Sequence, residues 1–316
     1  MPNRKYAAVT MVRDENLMLK IWYQYYSAQF GDDNLYIFDH NSSSAPVRSV
    51  LPGAKNVFRI PTDNPVSDPT GMLRKFDNYR FKFLSSQIAS LLVYYDCIIV
   101  NDVDEIFVVD PRESSSLRDY LNSKQELKLT CGMGLEVIQD LNVEIAYDPE
   151  KPIFEQRKLF RYNLNFCKPW VVGKEVEITG HGAFSPFEID PNLLLMHLHW
   201  VDYDTAHLRQ SKRRDFYRDG RGGLKSKWND TQDTKDQEWR DLLKLNISSR
   251  DMPHYDFLEN LFPNYRQKVF SPATYKRQSG RRHKLIEIPK FVTNAQRNAV
   301  KNELHKFPSR FSDAAI

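Results

Sequence analysis

Cysteine is scarce in this chain of 316 residues, and the chain contains no long apolar run. Cys97, Cys131 and Cys167 are odd in number and far apart. This excludes a disulfide scaffold and leaves no metal-ligand spacing, so we expect a reducing compartment. The apolar stretches within residues 91–100 are too short and interrupted to span a bilayer, and residues 1–5 lack the apolar core of a secretory signal. We therefore expect a cytoplasmic protein, at most peripheral to the inner face of the membrane.

Charge is distributed unevenly along the sequence. Residues 201–316 hold 24 Lys and Arg against 15 Asp and Glu, whereas residues 1–200 hold 21 against 26. An acidic first part followed by a basic last part suits a cation-dependent site beside a region that meets anions. The basic tracts 275–277 and 281–284 mix cations with a tyrosine, as nucleic-acid surfaces do. No zinc spacing or RNA-binding motif accompanies them, so we expect membrane-surface or glycan contact and no nucleic acid.

The order of apolar segments is typical of an α/β domain. Tyr6–Val12 predicts a buried strand, Leu17–Phe30 predicts a helix that Gly31 ends, and Asn34–Phe38 predicts a second strand. Parallel pairing in such a unit brings the carboxyl ends of both strands to one edge of the sheet. Later segments predict a strand at 57–60, a helix at 72–92, strands at 127–134, 154–162, 170–172 and 193–199, and polar helices from 202 and at 230–246.

Three acids follow one of these strands directly. The apolar run that ends at Val100 is β-branched and short, as in a buried strand, and Asp102, Asp104 and Glu105 come next. Open α/β sheets bind ligands at the carboxyl ends of their strands. On an extended backbone Asp102 and Asp104 point the same way, and such oxygen ligands suit a hard divalent cation that could bridge phosphates. A structural role, capping the next turn, is the alternative.

Four segments in order resemble those of GT-A glycosyltransferases of family 2 and family 92. The segments are Val12–Asn16, Gly31–Ser43, Val100–Phe107 and Met196–Trp200. The resemblance covers about residues 6–200 and implies a Rossmann-like, nucleotide-sugar-binding GT-A fold with a mixed, mostly parallel central sheet. We accordingly expect a catalytic domain at 1–200 and a basic extension, helical or irregular, at 201–316 that packs on it.

The resemblance also implies a metal site. Asp104 would bind Mn²⁺ or Mg²⁺ directly, and Asp102 would touch the donor ribose or reach the metal through water. A late histidine often completes such a site, and His199 or His197 could do so. The alternative for both histidines is an ordinary hydrogen bond within the core.

The remaining donor contacts are expected at the ends of the first two strands. By the same resemblance, Asp39 would accept a hydrogen bond from the nucleobase, although an Asx turn is equally in keeping with its sequence. Thr10 and Arg13 would line the same pocket. Lys82, with Arg80, could steady the diphosphate, or both could be ordinary surface charges of a helix.

The catalytic base is sought among carboxylates that could reach the acceptor hydroxyl. Glu136 follows the glycines of Gly132–Gly134, and Asp140 comes shortly after it. Glu177 and His181 compete for the role, and Glu136 could instead be a solvent-facing side chain.

Together these features predict a metal-dependent glycosyltransferase, inverting by analogy. The expected donor is a nucleotide sugar, with a UDP-sugar as the first guess. The acceptor would be a glycan or lipid-linked glycan in the synthesis of a surface polysaccharide or lipopolysaccharide. The alternative is a module of the same fold that binds nucleotide sugars or glycans without catalysis.

Overall fold

The computed structural model describes most of the chain. The described residues are 4–61, 76–179, 182–183, 185–216, 230–252, 254–265, 269–270, 273–276, 282–285 and 294–313. His181, the basic residues 277 and 281, and the start of the helix expected at 72–92 lie outside them.

Helices and strands alternate in the first third of the chain and mix thereafter. The strands are β1 (Tyr6–Val12), β2 (Leu35–His40), β3 (Asn56–Ile60), β4 (Cys97–Val100), β5 (Glu105–Val109), β6 (Thr130–Ile138), β7 (Leu159–Tyr162), β8 (Val171–Val172), β9 (Ile178–Thr179), β10 (Gly182–Ala183), β11 (Glu188–Trp200), β12 (Asn246–Ser248), β13 (Ala273–Lys276), β14 (Arg282–Leu285) and β15 (Glu303–Lys306). The α-helices are α1 (Leu17–Phe30), α2 (Val47–Val50), α3 (Phe76–Leu91), α4 (Leu117–Ser123), α5 (Ile153–Gln156), α6 (Tyr203–Phe216), α7 (Gln232–Leu243), α8 (His254–Leu261) and α9 (Asn294–Lys301).

One mixed sheet organises the described chain, so the protein is an α/β protein with a mixed central sheet. Its strand order is β12-β15-β7-β6-β8-β4-β1-β2-β3, and β11 joins it by pairing with β5 and β6. β4, β1, β2 and β3 are all parallel neighbours. All seven residues of β1 are buried, as expected for a strand covered on both faces. Gly31 ends α1 with φ 83°, which confirms the predicted helix end.

The other half of the sheet is mostly antiparallel. β11 runs antiparallel to β5 and parallel to β6, and β7 runs antiparallel to both β6 and β15. β12 and β15 come from the last third of the chain, so that region contributes strands to the main sheet as well as helices. A domain boundary at residue 200 stays a prediction. In the part of the chain that the structure describes, no helix has the length and apolarity needed to cross a bilayer.

Several predicted elements differ from those observed. The strand expected at 127–134 runs from Thr130 to Ile138, so Glu136 lies inside a strand instead of following it. The strand expected at 154–162 is a short helix, α5, followed by β7. Residues 102–104 are not extended, because the Glu105 N–H bonds the Asp102 carbonyl at 2.9 Å and closes a turn. The alternation expected of Asp102 and Asp104 is therefore wrong.

Candidate functional site

The acids that follow β4 form a tight turn at the carboxyl end of the parallel strands. We call residues 102–105 the acidic turn. Asn101 anchors it, because its buried amide Nδ2 donates to the Tyr26 hydroxyl and to the Glu105 carbonyl at 2.6 Å each. The Trp22 indole N–H donates to Asn101 Oδ1 at 2.8 Å. Helix α1 thus fixes where β4 ends and which way the carboxylates leave the sheet.

Basic side chains surround the acidic turn. Arg80 Nη2 lies 2.8 Å from Asp102 Oδ1, and Lys168 Nζ lies 3.3 Å from Asp102 Oδ2 and 2.5 Å from Glu105 Oε1. Arg209 Nη2 donates to Asp104 Oδ2 at 2.8 Å, and Arg213 is 3.9 Å from the same oxygen. The ion pairs bring together residues from α3, α6 and the segment before β8.

These cations decide the charge state of the two aspartates. Burial alone would raise the pKa of Asp104, but Arg209 and His197 outweigh it and hold that pKa well below its usual range. Arg80 and Lys168 lower the pKa of Asp102 in the same way against burial. For Glu105 burial dominates, and it raises the pKa to about 7. Both aspartates are therefore ionised near neutral pH.

A row of polar, ionisable side chains crosses four neighbouring strands beside the turn. Glu105 on β5 lies opposite His197 on β11, His197 lies opposite Glu136 on β6, and Glu136 lies opposite Arg161 on β7. His197 Nε2 is 3.5 Å from Asp104 Oδ2, and its Nδ1 is 3.9 Å from Glu136 Oε1. The row connects the acidic turn to the region where the catalytic base was expected.

The two late histidines differ in their surroundings. The His197 ring stacks on Phe166 with centroids 3.9 Å apart and is the one that approaches Asp104. His199 is buried, its ring centroid is 5.8 Å from that of His197, and its Nδ1 has no hydrogen-bond partner within the described residues. Burial lowers the pKa of His199 well below its usual range, so its imidazole is neutral, the form that binds metals. His197 has the shorter approach to the acids.

The acids and histidines at this site are of the kinds that bind a divalent cation. In this structure, ion pairs with basic side chains occupy the two aspartates. Carboxylate oxygens and imidazole nitrogens are ligands that Mn²⁺ accepts. Two such atoms, His199 Nδ1 and Glu105 Oε2, are buried without a hydrogen-bond partner in the described structure. No group of three or more such side chains among the described residues is arranged to hold a metal. Asp104 would have to release Arg209 before it could bind one.

Glu136 and Asp140 lie in different environments. Arg161 Nε donates to Glu136 Oε2 at 2.6 Å, and the Trp200 indole N–H lies 3.3 Å from Oε1. Burial would raise the pKa of Glu136, but Arg161 and His197 outweigh it and lower that pKa. The interpretation of Glu136 as a solvent-facing glutamate is wrong, because the side chain is buried. Asp140 is half-buried just beyond β6 and accepts from the N–H of Asn142.

Two aspartates order the loops after β1 and β2. Asp39 is buried, and its oxygens accept the N–H groups of Ser42 and Val47 in the loop that follows β2, at 2.9 and 3.2 Å. Asp14 Oδ1 accepts three consecutive N–H groups, those of Ser43, Ser44 and Ala45. These bonds fix the edge at which a nucleobase was expected.

The other expected donor contacts have mixed surroundings. Thr10 is fully buried, with Oγ1 lacking a partner in the described chain, so it lies within the core of the sheet. Arg13 Nε is 3.9 Å from Asp14 Oδ2. Lys82 lies on the exposed face of α3, and Arg80 is the residue of that pair that contacts Asp102. Glu177 is exposed.

Sequence reasoning missed three of the cations. Lys168 stands in an otherwise apolar stretch, Phe166–Val172, and its ammonium lies 4.1 Å from the centre of the Trp170 ring. A lone lysine among apolar residues is a signal that could have identified it, since buried lysines need an acidic partner. Arg209 and Arg213 stand in a helix rich in charge, and nothing in the sequence distinguishes them from surface residues.

Solved structures of other proteins include a weak likeness to this chain. No protein-family model matches the chain, and no curated protein matches it. The crystal structure of glucosyl-3-phosphoglycerate synthase from Mycobacterium tuberculosis, in complex with Mg²⁺ and uridine diphosphate, is 16% identical, with a TM-score of 0.26. The match covers 42% of this chain and 44% of that chain, so less than half of that protein's length is matched. A likeness of this size assigns no role to any residue of this chain.

Proposed function

We propose that the protein is a GT-A-type glycosyltransferase that moves a sugar from a nucleotide-sugar donor to an acceptor hydroxyl with a divalent cation. The observation that carries the proposal is the acidic turn at the carboxyl edge of β1, β2 and β4, with basic side chains on both sides of it. Ligands bind at that edge of open α/β sheets. The carboxylates could bind a metal ion, and the neighbouring basic side chains could bind phosphates. Such a combination suits a sugar diphosphate better than a neutral ligand.

The chemistry assigns each group a task. A nucleoside diphosphate leaves with growing negative charge, which a bound Mn²⁺ or Mg²⁺ neutralises without proton transfer. Asp104 and Asp102 would hold that cation, with His199 or the nearer His197 as a further ligand. Arg80 and Lys168 would hold the acids in place and lower the cost of bringing in a diphosphate. The nucleobase would lie by the loops after β1 and β2, beside Arg13.

The base that activates the acceptor is proposed to be one of two carboxylates, Glu136 on β6 or Asp140 just beyond that strand. Glu136 is held by Arg161 and stays ionised, and Asp140 lies at the more open end of the strand. An inverting reaction requires one of them within hydrogen-bond reach of the acceptor hydroxyl. The acceptor is proposed to be a glycan or lipid-linked glycan of a surface polysaccharide, and the basic last third to contact an anionic membrane surface.

A thermal-stabilisation panel tests the proposal directly. Nucleotide sugars are added one at a time with Mn²⁺, and a true donor at 100 times its Kd should add about 2.7 kcal/mol of stability. Asp104→Asn should abolish that stabilisation. Asp96→Asn, at the opposite end of β4, is the matched control and should keep it, since Asp96 accepts only the Lys5 N–H among its bonds in the described structure. If no nucleotide sugar stabilises the wild type, or Asp104→Asn keeps the effect, the proposal fails.

One observation favours the second candidate, a binding module without catalysis. The acids of the turn are all engaged by basic side chains, as they would be if no metal were ever bound. Donor hydrolysis measured with and without Mn²⁺ separates the two functions. A module would bind the donor and leave it intact in both conditions.

A further inference from the structure

Helix α6 places one arginine between two acids of the candidate site. Arg209 is 6% exposed, and its Nε donates to Glu15 Oε1 while its Nη2 donates to Asp104 Oδ2, both at 2.8 Å. Its remaining nitrogen, Nη1, is buried without a hydrogen-bond partner in the described residues. A buried guanidinium N–H without an acceptor is costly, so this position is suited to an incoming oxygen ligand.

A second arginine stands one helical turn further along. Arg213 follows Arg209 by four residues, which places both on the same face of α6. Arg213 Nη2 is 3.9 Å from Asp104 Oδ2, and burial together with repulsion from Arg209 lowers the pKa of Arg213. Two neighbouring guanidinium groups present forks of N–H donors, the geometry that binds phosphate oxygens in a bidentate manner.

Arg209 and a metal ion would compete for one oxygen. Asp104 Oδ2 accepts from Arg209 and also lies 3.5 Å from His197 Nε2. A divalent cation bound there would repel the guanidinium, and a diphosphate bound to that cation would attract it. The same side chain can thus neutralise Asp104 in the empty site and the donor in the filled one.

We propose that Arg209 and Arg213 bind the diphosphate of the donor, and that Arg209 exchanges its Asp104 contact for a phosphoryl oxygen when the metal takes Asp104. The inference rests on the proposed function, and it makes α6 part of the donor site. It predicts opposite effects of one substitution: without Arg209 the metal alone binds more tightly, and the nucleotide binds less tightly.

Two binding measurements test it. Mn²⁺ binding without nucleotide is followed by the paramagnetic resonance signal of free Mn²⁺. Nucleotide binding with saturating Mn²⁺ is measured by calorimetry with ADP, CDP, GDP and UDP as the probes. Arg209→Gln should tighten Mn²⁺ binding about tenfold and weaken diphosphate binding about tenfold or more. Arg213→Gln should weaken diphosphate binding and leave Mn²⁺ binding unchanged.

The matched control is Arg214→Gln, which removes the same charge from the same helix at a residue without an ion pair to the acidic turn in the described structure. It should change neither affinity. If Arg209→Gln does not fold, as judged by circular dichroism, Arg209→Lys replaces it: the charge stays, the fork is lost, and diphosphate binding should still weaken.

The outcomes separate the inference from the proposed function. If the wild type binds none of the four diphosphates with Mn²⁺, both are overturned. If the wild type binds one of them and the arginine variants bind it equally well, only the inference is overturned. A parallel loss of both affinities in Arg209→Gln would mean that Arg209 only maintains the fold of the site, which also overturns it.

Discussion

Gly134 allows the strand that carries Glu136 to lie close to the turn before Lys168. A Cβ at Gly134 would lie 2.5 Å from the Asn163 carbonyl oxygen and 2.6 Å from the Phe166 carbonyl carbon. These are backbone atoms, so they cannot move aside as a flexible side chain would. Phe166 in turn stacks on His197. Gly134 therefore allows two backbones to approach closely.

We predict that Gly134→Ala destabilises the protein by about 1–3 kcal/mol, as overpacking of a tight contact does. Denaturant unfolding followed by tryptophan fluorescence measures the change. Gly53→Ala is the matched control, because a Cβ there meets nothing within 4 Å. Equal midpoints for Gly134→Ala and the wild type would contradict the close packing described here.

Helix α1 holds the acidic turn through hydroxyl and indole groups. The Tyr26 hydroxyl accepts from Asn101 Nδ2 at 2.6 Å and from the Phe107 N–H at 2.9 Å, and both contacts are buried. One side chain of α1 thus joins the end of β4 to the start of β5. The position of the carboxylates depends on this helix as much as on the strand before them.

Tyr26→Phe should therefore cost about 1–3 kcal/mol, because it leaves two buried donors without an acceptor. Hydrogen exchange gives the most local measurement: the Phe107 amide should lose protection relative to neighbouring amides of β5. Tyr23→Phe is the control on the same helix, since Tyr23 is only partly buried and does not bond the turn in the described structure. Unchanged Phe107 protection in Tyr26→Phe would show that the helix does not hold the turn.

Elements with strong local patterns could be predicted from the sequence, and those fixed by distant contacts could not. β1 and α1 have the predicted bounds, because β1 is a short continuous buried run and α1 has apolar residues at helical spacing. The turn at 102–104 was predicted as extended, since the bonds from Tyr26 and Trp22 that bend it come from another element. β6 was predicted to end before Glu136, because the partners that keep that acid in a strand, His197 and Arg161, are distant in sequence.

The residues of the candidate site, like the elements, could be predicted where the local sequence marks them and not where distant contacts place them. The acidic residues were visible because they interrupt an apolar run, and their cationic partners were not, because pairing is a property of the folded chain. Arg80 and Lys82 could not be told apart by sequence, although they stand two residues apart on one helix and only Arg80 reaches Asp102. The histidine pair likewise needed coordinates to show that His197 is nearer to Asp104.

At the scale of the molecule, the last third is built into the sheet and core that carry the site. β15 extends the sheet beside β7, and the buried Trp239 of α7 packs against Trp200 with centroids 5.0 Å apart. Arg310, near the end of the chain, lies 2.9 Å from Oδ1 of Asp110, whose side chain is fully buried. These contacts predict that residues 1–200 and residues 201–316 unfold together.

Arg310→Leu tests that coupling. Burial would raise the pKa of Asp110, but the Arg310 and Arg112 contacts outweigh it and lower that pKa. Losing Arg310 leaves a buried carboxylate with Arg112 as its described partner, so stability at pH 7 should fall by about 2–3 kcal/mol in one cooperative transition. Arg250→Leu, an exposed arginine paired with Glu303, is the control and should cost less than about 1 kcal/mol.

The stability lost in Arg310→Leu should depend on pH in a definite direction. A carboxylate whose pKa is lowered by folding stabilises the protein above its unfolded pKa of about 3.9, and that contribution disappears as the pH falls through the folded pKa. The difference in unfolding free energy between wild type and Arg310→Leu should therefore shrink as the pH is lowered from 7 to below about 3. A constant difference over that range would mean that Arg310 stabilises through packing on Phe311 and not through Asp110.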